Sequence, residues 1–193
     1  MATKSVLGGD HAVDEWSDDE LVDLARSGGS RSGAWDELYR RHAPEARRLA
    51  YLVTGDHAAA EDIAQDAFVK LAGRLVGLRS PEAARAYLRK IVVTTAVSRA
   101  RSRQREDARV EAYARGDRLA PQDDTGTNGS STDGPLWEAL LRLPPRTRAA
   151  IVLRHWLDLS EQRTAELLGC GVGTVKSLVS RGLATLREEM GHV

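Results

Sequence analysis

The chain has little of what covalent or metal chemistry needs. Its 193 residues include one cysteine, Cys170, so neither an internal disulfide framework nor a cysteine-based zinc site can form. The five histidines (His11, His42, His57, His155 and His192) are scattered without metal-ligand spacing. No glycine-rich phosphate loop occurs, and no recurrent carboxylate pair of the helical di-metal kind. These absences argue against an enzyme: no catalytic residue, metal or cofactor is expected. Aromatic residues make up 5% of the chain, with a single Phe, so a core must come from aliphatic side chains. Apolar runs are short, Ile91-Val92-Val93 being typical, and cannot cross a membrane. No basic stretch followed by an apolar run opens the chain, so a secretory leader is not expected and a cytoplasmic location is. What is abundant is Ala, Leu and Arg, which favours helices.

Acids and bases are equal in number, 28 each, but they are segregated. Seven acids and no Lys or Arg lie between Asp10 and Asp23. Eight bases against one acid lie between Arg79 and Arg105. From Glu106 to Pro135 the balance swings back, with seven acids to three arginines. The basic stretch is a plausible footprint for a polyanion. It reads equally well as a solvated basic helix face.

The expected fold class is all-α, in two small helical domains joined by a flexible linker. Residues 1–15 read as an acidic disordered tail, 16–105 as the first domain, 106–135 as a polar, glycine-rich acidic linker and 136–190 as the second domain. Within the first domain, Ser17 and Glu20 form a capping box for a short helix. A second helix covers 34–53, which Pro44 should bend or divide. A third covers 58–75, with Ile63, Ala67, Leu71 and Leu75 inward and Glu61, Asp62, Gln65 and Asp66 outward. A fourth opens at Ser80-Pro81 and runs to about 104. In the second domain, Pro135 and Pro144-Pro145 start two helices, the latter continuing through RTRAAIVLRHWL, and Ser160 caps a third that stops at Gly169. The last helix spans 172–190.

The segment LSEQRTAELLGCGVGTVKSLVSRGLATL has helix-turn-helix spacing. Leu168, Val175, Val179 and Leu183 would hold its two helices at a fixed angle. Thr174, Ser177 and Arg181 fall three and four apart on the opposite face, with Lys176 alongside, which suits entry into a DNA major groove. An ordinary helical hairpin with a polar outer face is the competing reading.

Taken together these stretches resemble the extracytoplasmic-function sigma factors of bacterial RNA polymerase, in the style of actinobacterial members. ELYRRHAPEARRLAYLVTGDHAAAEDIAQDAFVKLAGR is similar to sigma regions 2.1 and 2.2, and YLRKIVVTTAVSRARSR to regions 2.3 and 2.4. LWEALLRLPPRTRAAIVLRHWLDLSEQRTAELLGCGVGTVKS is similar to region 4.1 and the start of 4.2, which SRGLATLRE completes. The resemblance implies three sets of contacts. Glu61, Asp62, Gln65 and Asp66 would meet the clamp of the polymerase largest subunit. Arg89, Lys90, Thr94, Arg99, Arg101 and Arg103 would hold the −10 element, and the loop from Gly77 to Pro81 would lie where the family captures a flipped base. Thr174, Lys176, Ser177 and Arg181 would read the −35 element. Core polymerase, promoter DNA and an anti-sigma factor are the implied partners. Leu178 stands where the family usually has Arg, and Gly171 where it usually has Ser. A stand-alone helix-turn-helix regulator with a sensing or dimerising N-terminal half is the alternative. The basic stretch counts against it, because a sensing domain needs no such stripe.

Overall fold

The computed structural model describes residues 16–27, 31–78, 80–116 and 134–191. The expected tail, 1–15, and residues 117–133 of the expected linker lie outside the described residues. Those described form eight α-helices and no strand. α1 (Asp18–Ser27) opens on the capping box: the Ser17 N–H donates to Glu20 Oε2 at 2.8 Å and the Glu20 N–H to Ser17 Oγ at 3.3 Å. α2 (Arg31–Thr54) runs unbroken through Pro44, so the proline does not divide it. Pro44 is exposed, which leaves the carbonyl it orphans to water, and the flanking Ala43, Ala46, Leu49 and Ala50 are buried and hold the helix in place. α3 (His57–Arg74) is capped by Asp56, whose carboxylate accepts the Ala59 N–H at 2.9 Å.

α4 (Pro81–Gly116) departs from expectation: residues 106–116, expected in the linker, are helical. The segment EDARVEAYAR is rich in Ala, Glu and Arg, which favour helix, and Arg109 pairs with Glu106 one turn back at 3.7 Å. The first breaker is Gly116, and the polar, glycine-rich composition begins only after it.

Leu21, Leu49, Val53, Ile63, Val92 and Val93 form the heart of the α1–α4 core, each at most 1% exposed. Alanines on the inward faces (Ala50, Ala64, Ala67, Ala96) let the helices approach closely. Charge ties close the bundle on one side. Asp18 of α1 meets Arg41 (3.3 Å) and His42 (2.8 Å) of α2 and Arg85 of α4 (3.4 Å). Glu37, buried in α2, accepts two hydrogen bonds from Arg40 and one from Arg41. The Arg40 contacts chiefly, against burial and with help from Arg41, bring its carboxyl down to about 2.

The second half comprises α5 (Pro135–Arg142), α6 (Pro145–Ile151), α7 (Glu161–Leu168) and α8 (Val172–Met190). Between α6 and α7 the helix expected through Leu157 widens into one π turn, Val152–Trp156, closed by the Leu157 N–H on the Val152 carbonyl at 3.2 Å. The chain then reverses at Asp158, which takes φ 49°. Arg148 of α6 is buried and donates to the Leu143 carbonyl beyond the end of α5 at 3.3 Å; burial pushes its guanidinium down to about 10. Gly182, costly inside α8 on helix propensity alone, lies where α8 crosses α6. A Cβ there would come within 2.6 Å of both Thr147 Cγ2 and Ile151 Cδ1.

The two halves abut. Ala149, Val152, Leu153 and Leu167 join the α1–α4 core, while Ala139, Leu143, Ile151 and Leu186 form a small cluster of their own. Tyr51 of α2 is stacked between His57 and Trp137 of α5, ring centroids 3.9 and 4.9 Å away. Arg48 lies over the Trp156 ring at 5.8 Å. Gly55 (φ 73°) admits Leu141 of α5, which an added Cβ would meet at 2.6 Å.

Candidate nucleic-acid interface

α7 and α8 form the corner that the sequence spacing predicts. The Ser160 hydroxyl accepts the Arg163 N–H at 3.1 Å and starts α7. Gly169, at φ 59°, ends it in the left-handed conformation. Val175 is fully buried in the angle, with Leu168, Val179 and Leu183 half-buried around it. Gly171 stands at the N-cap of α8 and offers no side-chain cap. The α8 N-terminus therefore keeps its positive end open to an anion.

Thr174, Lys176, Ser177 and Arg181 are all exposed on the outer face of α8. At rest they fold back on the protein. Ser177 Oγ donates to the Gly173 carbonyl (3.0 Å), Arg181 Nε to the Ser177 carbonyl (3.2 Å), and Lys176 Nζ lies 3.5 Å from Glu161 of α7. These are exposed contacts of the kind that rearrange at little cost.

The basic residues of α4 are brought together on one helix, but they are less naked than the charge count suggests. Arg89 pairs with Glu45 (2.8 Å), Arg99 with Asp62 (3.6 Å) and Arg103 with Asp56 (2.7 Å). Lys90, Thr94 and Arg101 are exposed, and Thr94 Oγ1 donates to the Lys90 carbonyl at 2.7 Å. Sequence reading missed these pairings because their partners come from α2, α3 and the α3 cap. On α3, Asp62, Gln65 and Asp66 are exposed and Glu61 is partly so, 3.2 Å from Arg47. The Arg99–Asp62 pair thus joins the α3 set to the α4 set. The loop expected between Gly77 and Pro81 is short: a 3₁₀ turn, Leu75–Gly77, precedes it, and Ser80 Oγ accepts the Ala83 N–H at 3.2 Å as α4 begins. Arg79 lies outside the described residues.

Thr94 and Arg101 also line a cleft of about 250 Å³ between α4 and the α6–α7 corner. Among the described residues no group of His, Cys, Asp and Glu could hold a metal ion, and no helix is long and apolar enough to cross a membrane.

Two family models match the chain, Sigma-70 region 2 over residues 38–106 and Sigma-70 region 4 over residues 133–186. The first covers α3, most of α2 and the basic part of α4; the second covers α5 to most of α8. The RNA polymerase sigma-E factor of Streptomyces avermitilis is 35% identical over 156 residues, covering 81% of this chain and 84% of that protein. The ECF RNA polymerase sigma factor SigM of Mycobacterium tuberculosis is 34% identical over 189 residues, covering 97% and 90%. Among solved structures, the sigma factor RpoE in complex with the anti-sigma factor NepR from Bartonella quintana matches with a TM-score of 0.61 and 25% identity, over 81% of this chain and 96% of that one. The chain therefore belongs to the sigma-70 family of RNA polymerase sigma factors, in its extracytoplasmic-function (ECF) group.

Proposed function

We propose that the protein binds core RNA polymerase in the cytoplasm and directs promoter recognition and transcription initiation. In this reading the α1–α4 body serves the −10 element and the α5–α8 body the −35 element. The observation that carries it is the exposed face of α8 (Thr174, Lys176, Ser177, Arg181), braced from behind by buried Val175, in a chain that matches both sigma regions. Short polar side chains read base edges and the cations neutralise phosphates. Arg89, Lys90, Thr94, Arg99, Arg101 and Arg103 hold the −10 strand. Arg89, Arg99 and Arg103 pair with Glu45, Asp62 and Asp56, which are partly to well exposed, so exchanging these carboxylates for phosphates costs little. Glu61, Asp62, Gln65 and Asp66 meet the polymerase clamp through a polar, charge-guided surface. Engaging Asp62 there releases Arg99 towards the DNA. An anti-sigma factor is proposed as a further partner, as the Bartonella relative has one.

The two promoter elements lie about one and a half helical turns apart, roughly 55 Å. Bodies that share a core must part before both elements are held. Run-off transcription with purified core polymerase and genomic templates tests the proposal. Discrete start sites that depend on this protein are expected. Failure to bind core, with specific duplex binding in its absence, would favour a stand-alone regulator instead.

A further inference from the structure

We propose that the cleft between α4 and the α6–α7 corner binds a small phosphate-bearing anion. Arg101 and Arg105 of α4 and Arg146 of α6 line it, together with the hydroxyls of Thr94 and Ser98 and an aliphatic wall that includes Leu167. No Asp or Glu lines it. The other arginines along this part of α4 each have a carboxylate: Arg85 has Asp18, Arg89 has Glu45, Arg99 has Asp62, Arg103 has Asp56 and Arg109 has Glu106. The three that face the cleft have none among the described residues. Arg105 donates only to the Arg101 carbonyl and to Ser102 Oγ, both at 3.3 Å. Arg146 donates through Nη2 to the Leu168 carbonyl at 3.0 Å, and its Nε is buried with no acceptor.

Three guanidinium groups lining one cleft repel each other, and a multiply charged oxyanion offsets that repulsion. Guanidinium forks match phosphate oxygens two at a time, and the two hydroxyls supply further donors. The aliphatic wall leaves room for an uncharged portion of the ligand. Because the walls come from both halves of the molecule, a bound anion favours the packed arrangement by mass action. On the promoter reading above, it also withholds Arg101 and Thr94 from the −10 strand; the site itself does not depend on that reading.

Calorimetric titration of the full chain at low, constant ionic strength tests the proposal, with inorganic pyrophosphate, inorganic phosphate and adenosine diphosphate as separate probes. One saturable site per chain is expected. Affinity should fall at least tenfold in Arg105→Gln, an exposed position, and in Arg146→Gln, and stay unchanged in Arg109→Gln, which lies outside the cleft. Tighter binding of adenosine diphosphate than of pyrophosphate assigns the aliphatic wall to a nucleoside; equal binding assigns the site to the free anion. Absence of saturable binding with all three probes, or equal affinity in wild type and Arg105→Gln, removes the site and leaves the promoter reading intact.

Discussion

The two halves of the molecule solve the problem of a small core in different ways. α1–α4 bury large aliphatic side chains from four helices and fasten them with Asp18 and Glu37, each tied to arginines. α5–α8 gather Ala139, Leu143, Ile151 and Leu186 in a small cluster of their own, and Ala149, Val152, Leu153 and Leu167 join the core of the first half. A domain this small has a poor ratio of interior to surface and gains by leaning on a neighbour. It is also the half that, on the reading proposed above, would hold the −35 element. On that reading, opening would uncover the apolar surface that Ala149, Val152, Leu153 and Leu167 now share with the first half.

The contrast can be broken most forcefully in acid. The carboxylates held below their usual range, Glu20 by Ser17, Glu37 chiefly by Arg40, and Glu82 by its own N–H and Ser80, all lie in the first half. A lowered folded pKa stabilises above the ordinary value of 4.5, and for Glu37 the benefit disappears as the pH falls towards about 2. Glu37→Gln should flatten the loss of stability across that window, measured by urea unfolding at stepped pH; a parallel pH dependence in the variant would refute it. Next in size, Leu153→Ala should cost about 2–5 kcal/mol, because Leu153 is fully buried in the shared core. Hydrogen exchange should then rise in α2 as well as in α6; protection lost from α5–α8 alone would show the halves to be independent. Gly182→Ala meets the Thr147 and Ile151 side chains and should cost roughly 1–3 kcal/mol by overpacking, less about 1 kcal/mol regained in helix propensity. A gain in Tm would mean that α6 and α8 separate easily. A double-mutant cycle on Tyr51 and Trp137 should give about 0.5–1.5 kcal/mol of coupling across the junction. Zero coupling would mean the halves do not pack this way in solution. The smallest effect is expected on α8: Leu178→Arg should steepen the salt dependence of −35 binding by about 0.9 in log–log slope, and an unchanged slope would exclude a new phosphate contact.

Much of this was legible because it is local. The Ser17–Glu20 box, the Ser160 cap, the left-handed Gly169 and the buried Val175 are each set by residues within a few positions of one another. The exposure of Thr174, Lys176, Ser177 and Arg181 follows from the same short periodicity. What escaped is long-range or subtle. The basic stretch is partly neutralised by Glu45, Asp56 and Asp62, which lie far away in the chain. Gly182 reads as a flaw in a helix until α6 is seen crossing it. The π turn at Val152–Trp156 leaves no composition signal, and the Tyr51–Trp137 stack pairs residues from opposite halves. The helical end of α4 was hidden by averaging residues 106–116 with the glycine-rich stretch that follows.

That helical end has a mechanical consequence. With α4 wound to Gly116, the connection to α5 is residues 117–134, a length that reaches at most about 65 Å when drawn straight. That reach is similar to the interval between the two promoter elements on the reading proposed above. Each residue peeled from the end of α4 lends roughly 2 Å more. On the promoter reading, the length of helix kept at this end bears on how far apart the two bodies can stand.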